Sequence, residues 1–223
     1  MLLKKKTLLS GLLVATSLWT AQVLANPDQA LINQYNLAAQ GEAALVDSVF
    51  GQLNRLIEKE GATPLSLVYL GSTQTLQGRD AFLPWNKMKF TEQGLSTINK
   101  GLALLHTLPS SLEKQERVQG LPESYLVRAM AAATFTALPD MFNHFERGYD
   151  LYLNLLDEPG FVEQPFAATS WIYRYAVQAA LRAEDIKQAK AWLSEMEQRD
   201  KANLDTQSAL AQVDAKGEGK QND

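Results

Sequence analysis

The sequence predicts an all-α protein, a stack of antiparallel helical hairpins with about eight helices. Three observations lead there. Over most of residues 27–199, apolar residues recur every three or four positions, the period of a helix with one buried face. Glycine and proline punctuate those runs, at Gly41, Gly61, Pro64, Gly78, Pro139 and Pro159-Gly160. Hydrophobic residues make up 46% of the 223-residue chain, enough for one sizeable core.

Residues 1–25 read as a cleavable signal peptide rather than as part of the fold. Lys4, Lys5 and Lys6 form its positive start, Leu8 to Leu18 its apolar run, and Val23-Leu24-Ala25 its small-residue cleavage site. The apolar run falls short of the roughly 20 residues a bilayer span needs, so export with cleavage after Ala25, into a bacterial periplasm, is the expectation. Asn26-Pro27 then offers a helix start, with Asn as the cap and Pro in the first turn. Leu31, Tyr35 and Ala38 continue that helix, and Gly41 breaks it. The second helix places Leu45, Val49, Phe50, Leu53, Leu56 and Ile57 on one face and stops at Gly61.

The stretch from Pro64 to Leu105 reads as the central hairpin. Its first helix carries Leu67, Leu70, Gly71 and Gln74 on one face and is expected to close at Gly78. Its second carries Gly94, Leu95, Ile98, Gly101, Leu102 and Leu105. A glycine inside a helix costs about 1 kcal/mol relative to alanine, which points to close approach of another helix at Gly71. Glu113 to Gly120 reads as a solvated loop. A third hairpin runs from Pro122 to Leu138 and from Phe145 to Leu156, and a fourth from Pro165 to Ala183 and from Asp185 to Arg199. Residues 201–223 turn polar and read as a disordered tail, which leaves 26–200 as the folded domain.

These hairpins resemble degenerate tetratricopeptide repeats. Leu67, Leu70, Gly71 and Gly78 match the pattern of a first repeat helix, and Gly94, Ile98 and Gly101 that of a second. Further copies of the second-helix motif start at Gly41, Asn143 and Glu184, with anchor positions at Val46, Gly94, Gly148 and Ala189. The resemblance implies a short right-handed solenoid whose concave side binds a protein or peptide.

Composition bounds the chemistry. The absence of cysteine excludes disulfides, a thiol nucleophile, Cys-ligated metal and a lipidated cysteine. Three of the 21 Lys and Arg lie in the leader, so 18 face 25 Asp and Glu, a mature net charge of −7. That balance argues against nucleic acid or an anionic membrane as partner. His106 and His144 belong to no ligand motif, no Gly-x-Ser-x-Gly or phosphate loop occurs, and no cofactor is expected. Acidic pairs such as Glu58/Glu60 and Glu195/Glu197 read as solvated faces.

Six residues stand out as candidate partner contacts. Arg79, Asp80 and Trp85 fall in an apolar connector about a dozen residues longer than a repeat requires. Either they anchor a ligand, or Phe82, Leu83 and Trp85 plug the core while Arg79 pairs with Asp80 or a carbonyl. Arg128, inside an apolar helix, needs a carboxylate such as Asp80 or Asp140, or else an anionic ligand. Trp171 and Arg174 share a helix side with Gln178 and Arg182, where the resemblance puts the concave groove; a solvated face is the plainer reading. The expected function is that of a periplasmic binding or assembly adaptor. A helical envelope hydrolase and a purely structural subunit are the alternatives.

Overall fold

The computed structural model describes residues 25–219; the leader up to Leu24 and residues 220–223 lie outside the described residues. The all-α expectation holds. In order, the helices are α1 (Gln29–Ala39), α2 (Val46–Glu60), α3 (Pro64–Asp80), α4 (Pro84–Ala103), α5 (Glu123–Ala137), α6 (Phe145–Leu156), the single turn α7 (Pro159–Val162), α8 (Phe166–Arg182), α9 (Ile186–Asp200) and α10 (Leu204–Gly219). Between α4 and α5 a two-residue ribbon pairs β1 (Arg117–Val118) with β2 (Leu121–Pro122).

Helices α3/α4, α5/α6 and α8/α9 form closely packed pairs, and each pair rests on its neighbours in chain order. α3 also packs on α2 and α5, and α8 on α5, α6 and α10. The glycine pattern sets the spacing of the tightest pair. A Cβ built on Gly71 would lie 2.6 Å from the Gly94 carbonyl oxygen, and one on Gly94 2.5 Å from that of Gly71. Seven residues away in each direction, Gly101 would meet the Pro64 carbonyl at 2.8 Å, and Gly78 would meet the Thr91 hydroxyl. Two backbones thus run antiparallel in contact over the length of α3. The anchor positions Val46, Gly94, Gly148 and Ala189 are all buried.

α5 holds the two halves of the core together. Leu126, Val127, Met130, Ala131 and Phe135 join the cluster built from α1 to α4, while Tyr125, Ala129 and Ala132 join the cluster of α6, α8, α9 and α10. Trp171 and Leu151 pack against both clusters.

Several local expectations need correcting. Asn26 does not cap α1; Asp28 does, its Oδ1 accepting from the Leu31 N–H at 2.8 Å. Gly78 does not close α3, because it marks contact with α4 rather than an end, and the helix continues to Asp80. The connector expected to be long is therefore only Ala81–Leu83. The segment 113–120 is not fully solvated: Gln119 and Gly120 adopt positive φ in a tight turn, and Val118 beside it is buried. The tail expected to be disordered from 201 is α10 through Gly219. It buries Thr206, Ala209 and Val213 against α8 and α9, and so covers the apolar end of the last hairpin.

Even alanine is too large at the α3–α4 contact, because the clashing atoms are backbone. Gly71→Ala and Gly94→Ala should each cost about 1–3 kcal/mol, read as a lower urea midpoint. The exposed Lys187→Ala should change stability by less than about 0.5 kcal/mol. Equal effects at all three positions would refute the packing argument.

Candidate binding surface

The arginines singled out in the sequence all have partners inside the protein. Arg79 donates from Nε and Nη2 to the two Asp80 carboxylate oxygens at 2.7 and 2.8 Å. It also donates to the carbonyls of Ala38 and Ala39 at 3.0 and 3.1 Å, at the end of α1 where helix carbonyls run out of i+4 donors. The hydrogen bond to Asp80 raises the Arg79 pKa further, so it stays charged. Here the plainer sequence reading of Arg79 holds.

Arg128 has a carboxylate partner, but it is Glu158 rather than Asp80 or Asp140. Nη2 lies 3.0 Å from Glu158 Oε2, Nη1 donates to Oε1, and the guanidinium sits 5.2 Å from the Tyr125 ring centre. Asp140 is occupied by Arg182, which also donates to the carbonyls of Thr136 and Leu138. Each bond ties elements that are not consecutive in the chain, α5 to the start of α7 and α8 to the end of α5.

Arg174 is held in the same way. Its Nε donates to Asp205 Oδ1 at 2.7 Å, Ser170 Oγ donates to Asp205 Oδ2 at 2.7 Å, and the guanidinium stacks 4.1 Å from the Tyr175 ring centre. Trp171 is half-buried against both cores. The side of α8 expected to form an open groove is thus tied to α10 through Arg174 and to the end of α5 through Arg182, while Gln178 stays exposed. The sequence missed this because Asp205 lay in a segment read as unfolded.

Among the expected contacts, Trp85 alone is presented outward without a polar tie. Phe82 is 93% exposed and Trp85 66% exposed, so neither plugs the core. The reason lies in the glycines: α3 and α4 touch backbone to backbone, leaving no space between them for large side chains. Lys87 Nζ donates to the Arg79 carbonyl at 2.9 Å and closes the turn. From this tip one stripe of α4 faces outward, at the spacing of successive helical turns. Trp85, Met88, Lys89 and Gln93 line a shallow depression that shares Glu92 and Ser96 with a second. The second runs past Asn99 and Lys100 to His144, where the loop before α6 forms the far wall. At about 1.5 Å per residue, Trp85 to Ala103 spans roughly 27 Å.

Catalytic groups are not concentrated along this surface. Among the described residues no three His, Cys, Asp or Glu side chains are placed to hold a metal ion. The Nδ1 atoms of His106 and His144 lie 2.6 Å from the carbonyls of Ala103 and Phe142. Burial pushes the Tyr35 phenol up to about 12 and Tyr152 higher still, so both stay neutral at ordinary pH. No helix among the described residues is long and apolar enough to cross a membrane.

No protein-family model, curated protein or solved structure matches this chain.

Since Arg174 and Asp205 join α8 to α10 and both side chains are mostly covered, removing either should destabilise the protein. Arg174→Ala and Asp205→Ala should each cost on the order of 1 kcal/mol, with a double-mutant coupling of at least about 0.5 kcal/mol. A coupling of zero would show that the pair contributes nothing to holding α10.

Proposed function

We propose that this protein is an exported, tetratricopeptide-like adaptor that docks a protein partner of the cell envelope on the outer face of its second hairpin. The observation that carries this reading is the pair Phe82, exposed on the three-residue turn, and Trp85, exposed in the first turn of α4 where it lines the groove. Aromatic side chains dominate interface energetics, and large ones seldom face water together without a role. The adaptor reading formed from the sequence, which named both the α3–α4 connector and α8, therefore narrows to the α3–α4 hairpin, since the arginine and tryptophan of α8 serve internal packing.

Charge narrows the class of partner. Between Pro64 and Ala103 lie Arg79, Lys87, Lys89 and Lys100 against only Asp80 and Glu92. The second hairpin is thus a basic segment of a chain whose mature net charge is negative. A partner segment combining apolar side chains with acidic ones would complement Phe82 and Trp85 beside Lys87 and Lys89. The leader pattern in residues 1–25 supports the envelope as the place of action.

Two measurements test the proposal. N-terminal sequencing of the secreted product should start at Asn26; an intact leader on a membrane-bound product would remove the export reading. Envelope extract passed over the immobilised protein supplies a captured partner, whose affinity is then measured by calorimetry. Phe82→Ala and Trp85→Ala should each weaken it tenfold or more, about 1.4 kcal/mol, with unchanged melting temperatures. Binding indifferent to both substitutions would refute the docking face.

A further inference from the structure

The buried carboxylate of Glu123 and its neighbour Glu116 converge on one residue from the far end of the chain. Asn26 Nδ2 donates to Glu116 Oε2 at 2.8 Å and to Glu123 Oε2 at 3.0 Å. The Asn26 carbonyl oxygen on the same side chain, Oδ1, accepts from Thr63 Oγ1 at 2.6 Å. Thr63 is the cap of α3, sharing a reciprocal capping box with Ser66, and the Leu65 N–H donates to Glu123 Oε1 at 3.3 Å. Pro27, next in the chain, is buried. Two regions distant in sequence thus meet around Asn26: the start of α3, and the ribbon from Glu116 to the start of α5.

This cluster is short of one charge. Glu123 is only 4% exposed, yet neither it nor Glu116 has a Lys, Arg or His within ion-pair distance among the described residues. Burial pushes the Glu123 carboxyl up, opposed by the Asn26 and Leu65 bonds, while Glu116 adds to the rise. Two carboxylates sharing a neutral amide, one of them deeply buried, are an unfavourable arrangement unless a cation completes it.

We infer that Glu116 and Glu123 are the receiving site for the chain's own processed N-terminus, whose α-ammonium on Asn26 completes the cluster. This rests on the export reading. Water added across the Ala25–Asn26 peptide bond by a separate signal peptidase leaves a carboxylate on Ala25 and an amine on Asn26, which takes up a proton. Covalent geometry keeps that ammonium within about 5 Å of the Asn26 side-chain nitrogen, which already touches both carboxylates. Removal of the leader thereby installs the missing positive charge at a fixed point. The new terminus then ties the first hairpin to the second and third.

The test uses the full chain from Asn26 to Asp223, released from a cleavable tag so that it begins with a free amine. Its α-amino group, followed by NMR with selective isotope labelling, should titrate at least about one unit above the usual 7.7–8.0. Glu116→Gln, at an exposed position that leaves the core untouched, should bring it back by a measurable part, and Glu123→Gln should do so more fully where that variant folds. An amine that titrates identically in the parent and in Glu116→Gln overturns the inference. As a second readout, extending the parent by Gly-Ser-Ala ahead of Asn26 should lower its melting temperature, and the loss should shrink in Glu116→Gln; an equal loss in both also overturns it. Sequencing of the exported product judges the export reading separately: a start other than Asn26 removes that reading whatever the titration gives.

Discussion

The arrangement depends on α5 having almost no free face. A helix whose residues are buried on both sides cannot lie at the surface; it must be enclosed by other helices. The run of small residues Ala129, Ala131 and Ala132 lets those neighbours approach, while Leu126, Val127 and Phe135 serve one cluster and Tyr125 the other. Two cores that could have been two domains therefore share one helix, with Trp171 and Leu151 bridging them. Everything else is placed relative to that helix: α3 on one side, α6 and α8 on the other, and α10 closing the far end.

Polar chemistry secures the same arrangement at its edges. Arg79, Arg128, Arg174 and Arg182 each reach across to an element beyond their immediate chain neighbours and end on a carboxylate or on carbonyls at a helix end. Arg–carboxylate forks give directional bonds at sites that apolar packing leaves loosely defined. Side chains that looked like ligand anchors are therefore fasteners between neighbouring helices. Phe82 and Trp85 have no such duty, and this difference separates them from the rest of the candidates.

Much of the fold was legible in the sequence because strongly periodic helices with glycine and proline ends announce themselves. α6 begins and ends where the pattern places it, at Phe145 and Leu156, and the contact of Gly71 with a neighbouring helix was readable from the cost of glycine there. α10 was not legible, because its buried face consists of Thr206, Ala209 and Val213, too small and too few to stand out among polar neighbours. The arginine partners were illegible for a different reason. Arg128 finds Glu158 thirty positions away and Arg174 finds Asp205 thirty-one away, and nothing local distinguishes those carboxylates from others nearby. Gly78 misled because a glycine that admits a neighbouring helix resembles one that ends its own. The length of the connector, and with it the exposure of Trp85, hung on that one residue.

The three-residue turn at Ala81–Leu83 has a thermodynamic consequence. Loops that order on binding surrender conformational entropy, often about 1–2 kcal/mol of backbone freedom for each residue fixed. Here the two helices already touch through glycine backbone, Lys87 ties the turn to the end of α3, and Pro84 fixes the first step of α4. Phe82 and Trp85 stand on a scaffold with little left to lose. For the docking proposed above, this means a contact surface assembled before any encounter, so that differences in affinity would fall on how well a partner's own surface fits and how slowly it leaves.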